Sequence, residues 1–473
     1  MRFRGTARAA GVTAVALAVT IGVTTGVAGT ALAAPGSGAQ PAANRLEGAW
    51  RSDGYGMVLT IDHGRLTTYS VTSGSCVPGF FTAGQVGSPG RDGATRYGRG
   101  ATADMTITPQ GRDRAALKAD DSAGSTHLER LPGLPALCTT PAPGDPLSVF
   151  DRFWETFEEN YPFFAAKGID WHAVRDQYRP QIGPQTTDDD LQRIFTAMME
   201  PLHDAHTSLA RDLHGVFFGL RPGTQEETPE LAKRAGKAVA AQLVGPERMF
   251  GGGKLGVGEL PGGIGYLRVG SFDDYVEDGS YQQQAAELDR ALDALLAGSA
   301  GLRGLVIDVR LNGGGSDELG LRIAARLTDR PYPAYTKRAR NDPADPSRFT
   351  RPQPITVRPA AAPRFTGPVA LLTAGTTVSA GETFTMALME RSPRVTRIGE
   401  NTQGVFSDVM IRLLSAHWAV GLPNEEFLTR DGRTFDGPGI PPQVPTPVFT
   451  EKELDTLKDS ALTTARRLLG GDR

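Results

Sequence analysis

The sequence has few of the residues that would indicate a metal site, a membrane protein or a nucleic-acid partner. Only two cysteines occur in 473 residues, Cys76 and Cys138, and neither belongs to a C-x-x-C pair. Two cysteines cannot form a zinc site alone, and we predict neither a metal nor a cofactor. The net charge of −3 gives no reason to expect nucleic acid as a partner. After residue 33, no apolar run is long enough to span a bilayer.

The first 33 residues have the pattern of a segment that is removed during export. Three arginines precede an apolar run over residues 10–27, and Ala31-Leu32-Ala33 forms a small-x-small cleavage site. Glycines interrupt the run, which favours cleavage over an uncleaved membrane anchor. We therefore predict a signal peptide over 1–33, bacterial export and a secreted, extracellular protein without stable membrane insertion. In an oxidising compartment, Cys76 and Cys138 favour one disulfide, with two free buried thiols as the alternative.

Composition and hydrophobic pattern predict a multi-domain chain. A linker rich in Pro, Gly, Ser and Ala (34–45) precedes 46–141, where short alternating runs between turn residues predict a small all-β barrel or sandwich. In 142–215, apolar residues at helical spacing predict a helical domain. A connecting segment follows over 216–262.

The C-terminal half has a different pattern, in which strands alternate with helices. Over 263–448 this alternation predicts an α/β domain with a largely parallel sheet flanked by helices. Within it, 337–363 is expected to be a long polar, proline-rich insertion. Residues 449–473 are expected to form a closing helix.

A short segment of this α/β domain contains the residue best suited to catalysis. The apolar run 368–373 predicts a strand, small residues follow, and a helical pattern begins at Thr383. Ser379 thus lies at a strand-to-helix turn, where its hydroxyl would face the mouth of a sheet. The N–H groups of the first helical turn could there hold an oxyanion. The alternative is a capping box, because Ser379 and Glu382 have the Ser-x-x-Glu spacing.

A glycine-rich turn and a histidine could complete an acyl-transfer site. The turn 310–315 follows another strand but lacks both phosphate-loop patterns, so its glycines are better suited to present a backbone N–H to a reacting carbonyl. A serine nucleophile needs a base, and 338–451 contains no lysine. His206 and His417 are the candidates. His203 gives His206 an H-x-x-H spacing, which we interpret as surface or core histidines rather than metal ligands.

Five motifs occur in an order that is specific as a set: Gly263-Ile-Gly-Tyr-Leu-Arg-Val269, Val306-Ile-Asp-Val-Arg310 with Gly313-Gly-Gly315, Ser379-Ala-Gly-Glu382, Ile398-Gly-Glu400-Asn-Thr402 and Gly437-Pro-Gly-Ile-Pro441. The set resembles the C-terminal-processing and tricorn core peptidase family, and Leu202-His-Asp-Ala-His-Thr207 resembles that family's Asp-x-His-Thr segment. The resemblance covers roughly residues 146–448. It implies a serine peptidase with the ClpP/crotonase-like fold that cleaves peptides or unfolded proteins. It also implies Ser379 as nucleophile and the N–H groups of Ala380 and Gly314 as oxyanion hole.

The departures from the family pattern indicate the tricorn-like branch. Val405 occupies the position of the catalytic lysine of the processing branch and cannot accept a proton. In the tricorn-like branch the base matches His206, and the acid that orients it matches Asp436, where the family more often has glutamate. Ala205 replaces the tricorn-type serine beside the histidine, and Glu382 is a candidate supporting residue. No PDZ-like segment precedes the catalytic domain.

Three functions are compatible with these residues. The favoured one is an exported serine peptidase. The alternatives are a non-catalytic carrier of an apolar ligand on the same scaffold, as in the retinoid-binding proteins that resemble this family, and a small-molecule serine esterase or amidase. An oligomer is compatible with each of them.

Overall fold

The computed structural model describes residues 45–100, 102–297 and 301–470. The predicted signal peptide (1–33) and all but the last residue of the predicted linker (34–45) lie outside the described residues. Within those ranges, no helix has both the length and the apolar surface that crossing a bilayer would require.

The N-terminal domain is a closed antiparallel barrel of eight strands, in which β1 pairs with β8. The side chains alternate between the interior and the surface, as the sequence predicted, and the interior contains Trp50, Leu59 and Tyr97. The structure thus selects the barrel over the sandwich. A disulfide joins Cys76 in β4 to Cys138, just after the barrel. The strands are β1 (Gly48–Ser52), β2 (Met57–Asp62), β3 (Arg65–Val71), β4 (Cys76–Gln85), β5 (Thr95–Gly98), β6 (Met105–Pro109), β7 (Arg114–Ala119) and β8 (Thr126–Leu131).

A helical region follows the barrel and packs against a small sheet. Its helices are α1 (Pro146–Asn160), α2 (Phe164–Lys167), α3 (Trp171–Tyr178) and α4 (Asp188–Met199). Asp145 caps α1 by accepting from the N–H of Ser148, and Thr187 and Asp190 form a capping box at α4. The aromatic residues of α1 form a buried cluster with Phe195 and Trp418.

The remaining elements form the α/β domain and two small sheets. In chain order they are β9 (Ser208–Arg211), β10 (His214–Phe218), α5 (Pro229–Ala240), β11 (Arg248–Phe250), β12 (Leu255–Leu260), β13 (Ile264–Val269), α6 (Tyr281–Leu296), β14 (Gly304–Asp308), α7 (Asp317–Ala325), β15 (Tyr332–Ala339), β16 (Gln353–Val357), β17 (Val369–Thr373), α8 (Ala380–Met389), β18 (Thr396–Gly399), β19 (Val409–Leu413), β20 (Trp418–Pro423), β21 (Glu425–Leu428), β22 (Val444–Pro445), α9 (Glu451–Thr456) and α10 (Ser460–Leu468).

The central sheet has seven strands in the order β11-β12-β13-β14-β17-β18-β22. The pairs from β13 to β22 are parallel, and β11 and β12 are antiparallel additions, which confirms the predicted, largely parallel sheet. Leu305 and Ile307 pack with α6, α7 and α8 on one face, and Val306 packs with α5, α9 and α10 on the other. Because both faces are covered, the strands are apolar throughout.

Two segments differ from the sequence prediction. The expected polar insertion 337–363 includes the end of β15 and all of β16, which form a three-stranded sheet with β21. The closing helix is two helices, α9 and α10, because Leu457 adopts a left-handed conformation (φ 52°). Neither departure has a strong local signal, since strand pairing and the break in the helix depend on distant contacts.

Candidate active site

Ser379 lies in a strained turn between β17 and α8. Its φ is 55° and its ψ is −119°, a conformation that side chains with a β-carbon adopt only when the surroundings enforce it. Its N–H donates to the carbonyl of Val405 at 3.1 Å. A β-carbon on Gly314 would lie 2.6 Å from the Ser379 β-carbon, so only glycine fits opposite the serine. The glycine turn and the serine turn are therefore in direct contact.

The Ser379 hydroxyl does not cap α8 in the described structure. The carboxylate of the buried Glu382 instead accepts the N–H groups of Gly404 (2.6 Å) and Val405 (2.8 Å). Ser379 and Glu382 therefore do not form the capping box that was the alternative. Burial raises the pKa of Glu382 to about 8, against the opposing effect of these hydrogen bonds. Glu382 fixes the backbone that holds the serine.

Asn312 organises the glycine turn, a role that the sequence analysis missed. Its Nδ2 donates to the carbonyl of Val269 at 2.9 Å, and its Oδ1 accepts the N–H of Gly314 at 3.0 Å. Its carbonyl accepts the N–H of Val378, one residue before the serine. The signal in the sequence was an Asn directly before three glycines. The predicted oxyanion donor Gly314 therefore already has an acceptor, whereas the N–H of Ala380 has none among the described residues.

His206 is buried in a turn just before β9. Its N–H donates to Asp204 Oδ1 at 2.9 Å, and Asp204 Oδ2 accepts the Tyr161 hydroxyl at 2.7 Å. Lys167 Nζ lies 3.7 Å from the same carboxylate. Burial lowers the pKa of His206, while Asp204 and Asp408 oppose that effect. Nδ1 of His206 is buried and has no hydrogen-bond partner in the described part of the chain.

Asp436 contacts the same backbone segment as Ser379. Its carboxylate accepts the N–H of Phe406 at 3.3 Å and the Thr434 hydroxyl at 2.6 Å. Although part of the residue is exposed, burial raises the pKa of Asp436 well above its ordinary value, and Asp204 and Glu382 add to the rise.

The segment 402–408 connects these groups. Val405 contacts Ser379, Phe406 contacts Asp436, and Asp408 acts on the pKa of His206. The position that carries lysine in the processing branch is thus beside the serine, and here it is the buried apolar Val405.

The other histidines lie elsewhere. His417 is exposed, and its Nδ1 is 2.7 Å from Asp212 Oδ1, just beyond the end of β9. His206 precedes the start of that same strand, so the two histidines flank opposite ends of β9. His203 is exposed in a left-handed conformation. No group of three or more His, Cys, Asp and Glu residues within 45–100, 102–297 and 301–470 is arranged to hold a metal ion.

Tyr161, Lys167 and the function of Asp204 were not predicted from the sequence. Asp204 had a signal, because it belongs to the Asp-x-His-Thr segment. Tyr161 and Lys167 had none, because they reach Asp204 only through the packing of α1 and α2 against the His206 turn.

Comparisons with known proteins locate the chain among peptidases. Residues 263–446 match the model of Peptidase family S41, and residues 145–200 match the Tricorn protease C1 domain. No curated protein matches the sequence. A Parabacteroides merdae protein named as a candidate peptidase is similar at 25% identity and a TM-score of 0.59, over 69% of this chain and 98% of that chain. Mature CPAF complexed with lactacystin is similar at 12% identity and a TM-score of 0.50, over 68% of this chain and 97% of that chain.

Proposed function

Because this chain belongs to the tricorn-like group of C-terminal-processing serine peptidases, we propose that Ser379 is its nucleophile and His206 its general base. The observation that carries the proposal is the strained turn of Ser379, which packs against Gly314 and is held by Val405. Backbone strain of this kind persists at functional sites because the surroundings over-determine it.

In the proposed reaction, Ser379 Oγ attacks the carbonyl carbon of the scissile bond while His206 takes the hydroxyl proton. The carbonyl electrons move to the oxygen, which the N–H of Ala380 stabilises at the start of α8. When the intermediate collapses, the C–N bond breaks and His206 returns the proton to the leaving amine. A water then hydrolyses the acyl-enzyme with His206 again as base, which releases the acid product and restores Ser379.

Gly314 is proposed as the second oxyanion donor. Because its N–H already points to Asn312 Oδ1, it would share its hydrogen between Asn312 and the oxyanion in a three-centre bond. Ala380 would then provide the stronger interaction.

Asp436 is proposed to orient and stabilise the imidazolium form of His206. Support comes from its contact with Phe406, one residue from the backbone that holds Ser379. Burial raises the pKa of Asp436, so its negative form is disfavoured until a positive charge appears nearby.

The proposed substrates are peptides or unfolded proteins, and the proposed location is outside the cell. The substrate class follows from the family, and export follows from the basic, apolar and small-x-small pattern of residues 1–33.

Degradation of casein by the chain without residues 1–33 tests the mechanism. We expect Ser379→Ala and His206→Ala each to lower kcat at least about 10³-fold, and Asp436→Asn to lower it less. His417→Ala is the matched control and should retain wild-type activity. Loss in His417→Ala but not in His206→Ala would reassign the base. An inactive wild type that also fails to react with a fluorophosphonate would overturn the proposal.

A further inference from the structure

One loop of the barrel packs against the catalytic domain and buries its Ala123 there. The loop 120–125 joins β7 to β8, and its Ala123 is only 1% exposed within the hydrophobic core that also contains α6, α7 and α8. Gly124 has φ +85°, and a β-carbon there would lie 2.8 Å from Gln353 Oε1 and 3.0 Å from Lys337 Cε. The tip of the loop therefore lies against the Gln353 and Lys337 side chains, which would have to shift if Gly124 carried a β-carbon.

The same loop holds the residue that follows the glycine turn. Ser316 comes directly after Gly315, and its hydroxyl donates to the carbonyl of Asp121 at 2.7 Å. The Ser316 oxygen also accepts the N–H of Leu319 and so caps α7. A barrel carbonyl thus fixes the point at which the glycine turn becomes a helix.

The loop also holds the segment beside the nucleophile. The Ser122 hydroxyl donates to Asp408 Oδ2 at 2.6 Å. Asp408 is the last residue of 402–408, whose Val405 carbonyl accepts the Ser379 N–H. The remaining groups around Asp408 belong to the catalytic domain: Lys337 Nζ lies 3.7 Å away, and the Asp408 N–H donates to Glu425 Oε2 at 3.3 Å.

A second part of the barrel contacts this cluster. The Tyr55 hydroxyl donates to Glu425 Oε1 at 2.5 Å, and Lys337 Nζ lies 3.0 Å from the same oxygen. The barrel thus supplies two hydroxyl donors to two neighbouring carboxylates. It also contacts the end of the glycine turn, through Ser316, and the end of the segment 402–408, through Asp408.

We propose that the barrel is part of the catalytic unit and that Ser122 is a positioning residue, which fixes Asp408 and, through it, the backbone beside Ser379. The inference rests on the proposed function. A serine hydroxyl bound to a carboxylate is a charge-assisted hydrogen bond, and its loss leaves Asp408 with its contacts to Lys337 and Glu425. The nucleophile and its donors would then spend less time in the reactive geometry, which lowers kcat and leaves substrate binding unchanged.

The test compares Ser122→Ala with Ser88→Ala, which removes an exposed barrel hydroxyl away from the junction. In Ser122→Ala, we expect kcat on a fluorogenic peptide to fall about three- to tenfold with an unchanged KM. The rate at which a fluorophosphonate labels Ser379 should fall by the same factor. Ser122→Thr keeps the hydroxyl and should restore both rates, and Ser88→Ala should match the wild type. Wild-type kcat and labelling in Ser122→Ala would overturn the inference and leave the proposed function intact.

A second pair of variants disturbs the loop more strongly than the loss of the Ser122–Asp408 hydrogen bond does. Gly124→Ala pushes a β-carbon into Gln353 and Lys337, whereas Gly87→Ala has a similar φ (+73°) but no atom within 4 Å. We expect Gly124→Ala to lower kcat more than Ser122→Ala does, and Gly87→Ala to retain wild-type kcat. Equal kcat in both glycine variants would contradict a positioning role of the loop. A wild type in which Ser379 does not react would overturn the proposed function, and this inference with it.

Discussion

Ser379 keeps its positive φ because three neighbours leave it no alternative. Val405 holds its N–H, Gly314 packs on its β-carbon, and Asn312 holds the residue before it. A positive φ at a residue with a β-carbon costs of order 1–3 kcal/mol. That cost is offset by contacts from distant parts of the chain, which explains why the sequence indicated the turn but not its geometry.

The first prediction concerns the charge of His206. Burial lowers the pKa of His206 below 6.5, so the neutral base should persist in more acidic solution than an ordinary histidine allows. We expect the acid limb of kcat/KM to have its midpoint below pH 6.5, measured with a neutral peptide substrate. Asp408→Asn should shift that limb further down, because Asp408 raises the pKa of His206. The control His417→Ala should leave the midpoint of the acid limb unchanged. A midpoint above pH 6.5 would contradict the assignment of His206 as the base.

The second prediction concerns the buried Glu382. Because burial raises its pKa from 4.5 to about 8, the folded protein keeps a proton there that the unfolded chain has lost. The folded state therefore binds more protons in that window, and its free energy of unfolding should fall as pH rises from 4.5 to about 8.

Glu382→Gln cannot titrate, so this contribution to the pH dependence should disappear in urea unfolding measured across that window. The variant should also be less stable near pH 4.5, since an amide can accept only one of the two N–H groups. Glu390→Gln, at the exposed end of α8, is the control and should keep the wild-type slope. If the free energy of unfolding of Glu382→Gln falls with pH as steeply as that of the wild type, another group is responsible for the pH dependence.

At the scale of elements, the residue that follows α1 contacts the turn that contains His206. Tyr161 follows the helix directly and donates to Asp204, which holds the His206 N–H. The aromatic pattern of α1 predicted core packing, and the core is indeed where Phe153 and Phe157 lie. Tyr161, directly after the same helix, instead holds Asp204 by a hydrogen bond.

The third prediction is that Tyr161→Phe weakens the His206 turn without unfolding the helical region. Loss of one buried hydrogen bond to a carboxylate should lower the free energy of unfolding by about 1.5–3 kcal/mol and reduce kcat several-fold. Tyr178→Phe, at the end of α3, tests whether removing any tyrosine hydroxyl of this region has the same effect. Urea unfolding and peptide hydrolysis are the measurements, and equal losses in both variants would contradict the specific role.

The fourth prediction concerns the break between α9 and α10. Leu457 is 45% exposed and has φ 52°, which costs a residue with a β-carbon about 1 kcal/mol or more relative to glycine. Leu457→Gly should therefore raise the free energy of unfolding by about 0.5–1 kcal/mol, less than the full cost because glycine also gains freedom in the unfolded chain. Leu457→Ala keeps a β-carbon and should give no gain. A gain in both variants would indicate that exposed apolar surface matters instead.

At the scale of the whole molecule, the barrel is closed by a cross-link and joined to the catalytic domain by its loops. The disulfide joins β4 to the segment after the barrel, and the loop 120–125 enters the catalytic domain. The barrel's stability should therefore affect catalysis, although it contains none of the proposed catalytic residues.

The fifth prediction is that the Cys76→Ala, Cys138→Ala double variant loses about 4 kcal/mol of unfolding free energy, because the disulfide closes a separation of 62 residues in the unfolded chain. Chemical denaturation under non-reducing conditions measures the loss. Single Cys→Ala variants should lose a similar amount, since each removes the same cross-link. A double variant as stable as the wild type would show that the bridge adds nothing beyond the packed barrel.

Local pattern indicated most of the elements that form. Alternation predicted the barrel strands and the parallel core, helical spacing predicted α1 and α6, and the ordered motifs identified the peptidase family. These features depend on neighbours close in sequence, and the sequence contains them completely. The same pattern placed Ser379 at the start of a helix.

The tertiary structure decided what those elements do to one another. It brought Asn312 against the carbonyl of Val269, turned Glu382 away from its cap toward 402–408, and placed Ser122 on Asp408 across 286 residues. It also made β15 and β16 strands where the composition indicated a polar insertion. Each outcome depends on pairing between segments that are distant in the chain, and a hydrogen bond across such a distance leaves no periodic trace in the sequence.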